Sequence, residues 1–532
     1  MTKLRGLLVG ALITLLAASL MPTGHADVAK LMLVRVQVES QTQAAYLMTH
    51  FDESHNHSAE EIELVLWPGD QLELDKLGYE YEVVTADLVG SENQDTQADS
   101  IIALPGPDRD DYRRLSDYNN EMKALAKKNP KLVKSFKMKR PSLEGREIFG
   151  VEIAANVKDT SDGRPIFYID GVHHAREWPA SEYTMLYIHH LVEGYGKDKE
   201  VTKLLRKARV IAVPIVNVDG FNYSRETVFS ANQDLRDRTS TMGAGNGFEG
   251  YWRKNRRSLT GQTAPGLEAN PDAYGVDPNR NYSYLWGDGQ GGSSGSQADQ
   301  TYRGDAPFSE PETRNVRDVI LSRPVTAVLT NHTYQGSVLR TGGGKVPDDT
   351  MLRLLGDKLA RVLKYRNAPT AGYPTTGTTD DWAYAAMGAI GYTIEHGILG
   401  FHPGYDKEVG AFWKQHMKAF DMLFEAAANP KYHSIIKGKV AGGPATLRIT
   451  KSFRTVLSPE NPTGAASVPE KISMSIKTNK NGSFSWHLTP STRPYEKKAE
   501  SYTLSFHSGS KLKSMKVKVA RGKVLNLGKI KL

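Results

Sequence analysis

The sequence predicts an α/β fold with a mixed, mostly parallel central sheet and helices on both of its faces. A small α/β unit precedes it and a small β-sandwich follows it. Three observations carry this reading. Between residues 107 and 428, apolar runs of strand length alternate with helix-length stretches, the pattern of strands joined by helical crossovers. Residues 89–106 are polar and acidic (Ser91-Glu92-Asn93-Gln94-Asp95) and end in Pro105-Gly106, a linker composition. From residue 430 onward the apolar residues recur with period two in short segments, as in half-buried strands. A chain of 532 residues also exceeds what one hydrophobic core usually serves.

The first residues read as an export signal. Lys3 and Arg5 form a basic start, and Gly6 to Leu20 form an apolar stretch shorter than a membrane span of about 20 residues. Gly24-His25-Ala26 offers the small residues that a signal peptidase requires, so residues 1–26 are expected to be removed after Ala26. The protein is then secreted or periplasmic. The chain has no cysteine, hence no disulfides and no thiol for a lipid anchor, which suits a bacterial exported protein. With 39% apolar and 24% charged residues and no later segment apolar enough to span, the chain reads as globular and soluble.

Residues 27–88 follow a β-α-β-α-β pattern: strand Leu31–Val38, helix Gln43–Phe51, strand Glu61–Trp67, helix Gln71–Leu77 and strand Tyr79–Val84. In the central unit the expected elements are strand 165–170, helix 180–193, strand 209–217, strand 325–330, helix 347–366, helix 381–387, strand 390–395 and helix 406–427. Ser309-Glu310-Pro311-Glu312 has the spacing of a capping box opening a further helix. The final unit, 429–532, offers strands at 446–449, 472–476, 483–486, 502–506, 516–519 and 524–527, with a turn at Lys480-Asn481-Gly482. Its charge is distinctive. From residue 430 on there are 20 Lys and Arg against 4 Asp and Glu, a net of +16. The whole chain is +8, so everything before residue 430 sums to −8. A field of one sign favours anionic surfaces or polymers without specific nucleic-acid recognition, although a solvated, solubilising face has the same composition. The tail is expected to be dispensable for the chemistry of the central unit, and the protein to be a monomer.

The chemistry concentrates in Ile169-Asp170-Gly171-Val172-His173-His174-Ala175-Arg176-Glu177-Trp178. His174 and Glu177, three residues apart after an apolar strand, are an imidazole and a carboxylate suited to zinc, and His332 follows another such strand. Two His and one Glu leave a coordination position open for water, as catalysis requires. His173 has no Glu three residues on and reads as a packed strand residue.

An H-x-x-E pair alone is common, but its companions occur in order: Trp252-Arg253-Lys254, Asp277-Pro278-Asn279-Arg280-Asn281, His332-Thr333-Tyr334, Tyr373-Pro374, Asp380-Asp381-Trp382 and Thr393-Ile394-Glu395. From Tyr112 to Ala427 the series resembles the zinc carboxypeptidases of the A/B type, including bacterial carboxypeptidase T. The resemblance implies one Zn2+ per chain on His174, Glu177 and His332, with Glu395 as general base and then acid. Arg253 becomes the partner of the developing oxyanion, a task suited to a permanently charged guanidinium. Arg280, with Asn279 beside it, takes the substrate's terminal carboxylate by an Arg fork. Tyr373 matches the tyrosine that closes over substrate, and Arg176 the basic residue beside the metal ligands. Asp380 falls at the base of the side-chain pocket, where an acidic residue implies preference for C-terminal Lys or Arg; Gly343, facing it, leaves room for a long side chain. A pairing of Asp380 with Arg340 or Lys345 would instead give mixed specificity. The N-terminal unit resembles the family's inhibitory pro-segment. The segment between His174 and Arg253 is longer than in digestive relatives, with extra residues expected in 225–250 and again near 258–271. Two other readings use the same residues: a zinc amidase acting on cell-wall stem peptides, and an inactive binding protein that keeps the fold.

Overall fold

The computed structural model describes residues 30–58, 60–95, 111–232, 248–258, 275–288, 291–341, 346–369, 375–457, 467–495 and 500–532. The residues expected to form an export signal, Tyr373, Gly343, Lys345 and most of both expected insertions lie outside them.

The N-terminal unit contains β1 (Met32–Gln37), α1 (Gln41–His50), β2 (Asp52–His57), β3 (Glu61–Leu66), α2 (Asp70–Leu77) and β4 (Tyr81–Thr85). Its antiparallel sheet has the order β2-β3-β1-β4. Ser40 caps α1 by accepting from the Gln43 N–H at 3.2 Å. Val34, Val36, Leu47, Ile62, Leu64, Leu66 and Leu74 form a core of its own. β2 was not expected, because Asp-Glu-Ser-His-Asn-His has no apolar alternation; it is an edge strand defined by pairing with β3. The expected linker also begins as a helix, α3 (Leu88–Asp95). Asp87 accepts from the Gly90 N–H at 2.8 Å, and Leu88 packs with Leu31, Leu33 and Val65, so one cap and one apolar anchor override a polar composition.

The central unit runs α4 (Leu115–Lys128), β5 (Val133–Lys137), β6 (Phe149–Ile153), β7 (Ile166–Gly171), α5 (Trp178–Gly194), α6 (Lys199–Lys207), β8 (Arg209–Val213), α7 (Val218–Asn232), α8 (Pro311–Ser322), β9 (Val325–Thr333), β10 (Ser337–Arg340), α9 (Asp349–Leu363), β11 (Arg366–Pro369), α10 (Thr379–Met387), β12 (Ile390–His396) and α11 (Ala411–Ala428). Its eight strands form one mixed sheet, β11-β10-β12-β9-β7-β8-β6-β5, flanked by helices. The inner four, β12, β9, β7 and β8, are parallel. They are buried along their whole length, which explains continuous apolar runs in place of alternation. The strand expected over 209–217 stops at Val213, because Pro214 has no N–H for the ladder. The capping box does not form. Glu310 is the N-cap residue, and the Ser309 hydroxyl donates to Glu310 Oε1 at 2.7 Å instead of capping α8.

Among its described residues the C-terminal unit has seven strands: β13 (Ser434–Val440), β14 (Thr446–Val456), β15 (Ser467–Lys477), β16 (Ser483–Leu488), β17 (Tyr502–Ser508), β18 (Lys511–Val517) and β19 (Val524–Ile530). They form a three-stranded sheet, β16-β13-β19, and a four-stranded one, β15-β14-β17-β18. β13 escaped sequence reading because Gly438 interrupts it, at the point where its register with β19 shifts. The two sheets bury Leu447, Ile449, Ile472, Trp486, Leu504 and Phe506, and this core is continuous with that of the central unit.

Candidate metal centre and active site

The site is built at the C-terminal ends of three adjacent parallel strands, β12, β9 and β7, where an open α/β sheet exposes its functional groups. After β7 the chain turns through Val172, a valine at φ +52°, which aims the next residues into the cleft at some cost in backbone strain. Asn217 holds this turn from below: its amide donates to the carbonyls of His173 and Lys254, both at 3.1 Å. Glu177 is the N-cap residue of α5, where the helix dipole favours a carboxylate.

His174, Glu177 and His332 are buried, and one ligand atom from each lies within 4.8 Å of the others. Glu177 Oε1 is 2.6 Å from His174 Nδ1, and Oε2 is 2.9 Å from His332 Nδ1. Burial alone would keep both rings neutral, but the Glu177 carboxylate raises His332 to about 9. His174, desolvated and close to Arg253, is pushed below the usual range. Glu177 itself, despite burial, is held well below the ordinary carboxylate range by the two imidazoles. Two imidazole nitrogens and a carboxylate converging in a buried place are the donor set that zinc prefers.

His174 turns its other nitrogen, Nε2, toward Asp277 Oδ1 at 3.1 Å. Such a carboxylate behind a metal-ligating imidazole fixes its orientation. Asp277 also accepts from Arg253 through Nε at 3.2 Å and Nη2 at 2.9 Å, and from the Asn279 N–H at 2.8 Å. Arg253 and His174 hold Asp277 well below the ordinary range against the effect of burial. Sequence reading quoted Asp277 within the Asn279-Arg280 motif and gave it no role, yet it joins His174, Arg253 and the Pro278–Arg280 turn. Its place one residue before Pro278 at a helix start was the available signal.

Glu395 on β12 lies in register with His332 on β9 and with Ser337 on β10, which puts the expected base beside the metal ligands; it is 2% exposed. Asn279 and Arg280 sit on a short 3-10 turn, Pro278–Arg280. Asn279 Oδ1 accepts from the Thr379 N–H and hydroxyl, both at 3.0 Å, and its Nδ2 lies 3.3 Å from His332 Nε2. The Arg280 guanidinium, 3% exposed, donates from Nε to the Gly292 carbonyl at 2.5 Å and from Nη1 to the Asn279 carbonyl at 3.1 Å. His173 lies 2.9 Å from the Tyr282 hydroxyl, 3.0 Å from that of Thr379 and 3.3 Å from that of Thr330, and its ring stacks on that of His332 at 5.6 Å. Asp380, in the first turn of α10, is 1% exposed, and its Oδ2 has no hydrogen-bond partner among the described residues, although Thr378 and the backbone of Asp380 and Asp381 bond to the carboxyl group. Burial raises its pKa above the ordinary range, with Thr378 opposing. Arg340, the proposed internal base, pairs with Asp349 at 2.8 Å.

The N-terminal unit occupies the approach to this site. Asp52 engages the Arg176 guanidinium with both oxygens, at 2.5 and 2.7 Å, one residue from the metal ligand Glu177, and it accepts from the Trp67 indole at 2.8 Å. Arg176 is thus taken by the chain itself rather than open to a substrate; Phe401 stacks 4.0 Å from it. Tyr334 donates to Glu63 at 2.9 Å. The Thr49 carbonyl accepts from the Thr301 hydroxyl at 2.5 Å, and its hydroxyl accepts from Gly292 N–H at 2.8 Å, the residue whose carbonyl holds Arg280. Leu31, Leu33, Val65 and Trp67 pack against Tyr251, Tyr334 and Phe401.

Residues 118–419 match the family model described as zinc carboxypeptidase. Homo sapiens carboxypeptidase B is 27% identical over 314 residues, 57% of this chain and 66% of that protein. Rattus norvegicus carboxypeptidase A2 is 29% identical over 285 residues, 51% of this chain and 59% of that protein. The chain thus spans about two thirds or less of these two relatives. The fold is shared with thrombin activatable fibrinolysis inhibitor, at a TM-score of 0.58 and 18% identity over 75% of this chain and 99% of that one. It is shared also with carboxypeptidase A from Helicoverpa armigera, at a TM-score of 0.59 and 22% identity over 76% of this chain and 98% of that one.

Proposed function

The chain belongs to the zinc carboxypeptidase family, and on that premise we propose that it removes the C-terminal residue from peptides. The observation that carries this is the convergence of the His174, Glu177 and His332 ligand atoms within 4.8 Å, with Glu395 in register beside His332. These three residues would hold one zinc ion per chain; such an ion supplies Lewis acidity, making a water acidic near neutral pH and polarising a carbonyl. Glu395 takes the proton of the attacking water and returns it to the leaving nitrogen, so that a C–O bond replaces the C–N bond. Arg253, steadied by Asp277, offers its N–H groups to the oxygen that gains charge. Arg280 receives the terminal carboxylate, with Asn279 beside it.

Asp380 supports a preference for Lys or Arg. A buried carboxyl oxygen without a partner is costly until a cation meets it. The N-terminal unit, seated on Arg176 through Asp52, supports a latent form that cleavage ahead of the central unit activates. Exposed Lys511, Lys513 and Lys516 on β18 support docking of the full chain on an anionic surface. Secretion rests on the residues before Ala26. The test of the activity itself is metal analysis of the purified chain together with turnover of blocked dipeptides ending in Arg, Lys, Phe, Leu and Glu. A chain that holds no zinc, or cleaves none of them after its N-terminal unit is removed, is not a carboxypeptidase.

A further inference from the structure

We propose that Glu470, on the C-terminal sandwich, is a positioning residue for the substrate pocket of the central unit. The proposal rests on the assignment of Asp380 to the pocket base and Arg280 to the chain-end carboxylate. Glu470 lies on β15, in the inward phase of the strand with Ile472, Met474 and Ile476, and is 6% exposed. Its Oε1 accepts from the Ser283 hydroxyl at 2.5 Å, the Thr455 hydroxyl at 2.6 Å and the Trp382 indole N–H at 3.1 Å; Oε2 is 3.2 Å from the same indole nitrogen. Two of these donors belong to the central unit, and both flank site residues. Ser283 comes three residues after Arg280. Trp382 comes two residues after Asp380 in the first turn of α10, and at about 100° per residue the two side chains leave the helix on nearly opposite sides. Asp380 is thereby presented to the pocket while Trp382 is gripped from behind.

The rest of α10 is held by the same unit. The Arg521 guanidinium donates to the carbonyl of Gly388, the residue that ends the helix, at 2.8 Å. The Tyr384 ring meets Tyr495 edge-on at 5.8 Å, and Tyr495 stacks on Tyr284 at 4.9 Å. From the front of the helix, Thr379 donates twice to Asn279, the neighbour of Arg280. One carboxyl group therefore fixes the spacing between two binding elements on different segments, and the distance between them sets how well a chain end fits. Loss of that group should weaken binding and leave proton transfer at Glu395 intact.

The experiment uses the full chain, with its N-terminal unit cleaved off, in three variants: Glu470→Ala, Glu470→Gln and Trp382→Phe. Each is assayed on blocked dipeptides ending in Arg and in Leu, with zinc content measured alongside. Glu470→Ala is expected to raise KM about tenfold on both substrates with kcat within about twofold. Glu470→Gln, which keeps an acceptor oxygen, should restore most of the wild-type KM. Trp382→Phe removes the indole donor together with part of a fully buried ring and should shift KM in the same direction, so it carries the test if Glu470→Ala does not fold. A fall in kcat at constant KM, or constants unchanged in Glu470→Ala or, failing its folding, in Trp382→Phe, overturns the positioning role. A wild-type chain that cleaves neither substrate overturns the carboxypeptidase reading instead.

Discussion

Replacing Asp380 by Ala should remove most of the discrimination between basic and aliphatic chain ends. The magnitude follows from its surroundings. Asp380 is 1% exposed, Oδ2 lacks a hydrogen-bond partner among the described residues, and Arg340 is engaged by Asp349. A charge-assisted hydrogen bond from a substrate guanidinium contributes about 1.5–3 kcal/mol, and leaving the carboxyl unmet beneath Leu costs about 1–3 kcal/mol. Taking about 3 kcal/mol for the difference, with about 1.4 kcal/mol per factor of ten, the wild-type preference for Arg over Leu is on the order of a hundredfold in kcat/KM. Asp380→Ala should lower kcat/KM for Arg by about that factor and leave Leu within a few-fold or improved. The pH dependence has a definite sign. Burial raises the Asp380 pKa above its ordinary value, and the ionised form is the one that pairs with Arg. The preference is therefore complete above the raised pKa and disappears as pH falls through it, with no matching limb for Leu. The assay is kcat/KM on matched Arg and Leu substrates across pH for wild type and variant. A wild type that favours Leu, or an unchanged ratio in Asp380→Ala, refutes the reasoning.

The other predictions concern metal, base, latch and tail. His174→Ala, Glu177→Ala and His332→Ala should each lose zinc and activity together, whereas Glu395→Gln should keep the metal and lose turnover by at least about a hundredfold; near-normal turnover in Glu395→Gln would remove it from proton transfer. Asp52→Asn should raise the activity of the uncut chain on small substrates, because it leaves one poorer acceptor opposite Arg176; equal activity of uncut wild type and uncut variant would make the N-terminal unit a stabilising module rather than an inhibitor. Retention of the full chain on vesicles containing anionic lipid should fall steeply between low and physiological salt, and a triple change of Lys511, Lys513 and Lys516 to Glu should abolish it; retention that ignores salt and charge reversal would sink the docking proposal.

Much of the site was legible because its chemistry is local. His174 and Glu177 are three residues apart and His332 ends an apolar run, so residue type and strand position pointed to them, whereas Glu395 was expected only because the ordered motifs resemble the family. What stayed hidden depends on long-range partners. Asp277 has no signature of its own until the fold brings His174 and Arg253 to either side of it. A glutamate in an alternating strand normally reads as solvent-facing, yet Glu470 shares its phase with Ile472, Met474 and Ile476, and that mismatch was the signal to notice. β2 was missed for the opposite reason: its residues are polar, and only pairing with β3 makes them a strand. The tail looked separable because its charge is so different from the rest. Charge describes its surface, while its interior continues the core of its neighbour.

The double contact between Asp52 and Arg176 bears on how the protein would wake up. A cut between residues 95 and 111 breaks the covalent tether and leaves the ion pair and its apolar surround in place. Before the cut, the two partners face each other at an effective concentration of about millimolar. Afterwards the severed unit is a free molecule, and its residence on the cleft obeys mass action. Awakening would then have two steps, scission and escape, and escape would go further toward completion in a large volume than in a confined one. The cast-off piece, which has its own small core, would remain a reversible blocker in trans. A crowded compartment would keep the protein quiet even after every chain had been nicked, and dilution into the surroundings would complete its release.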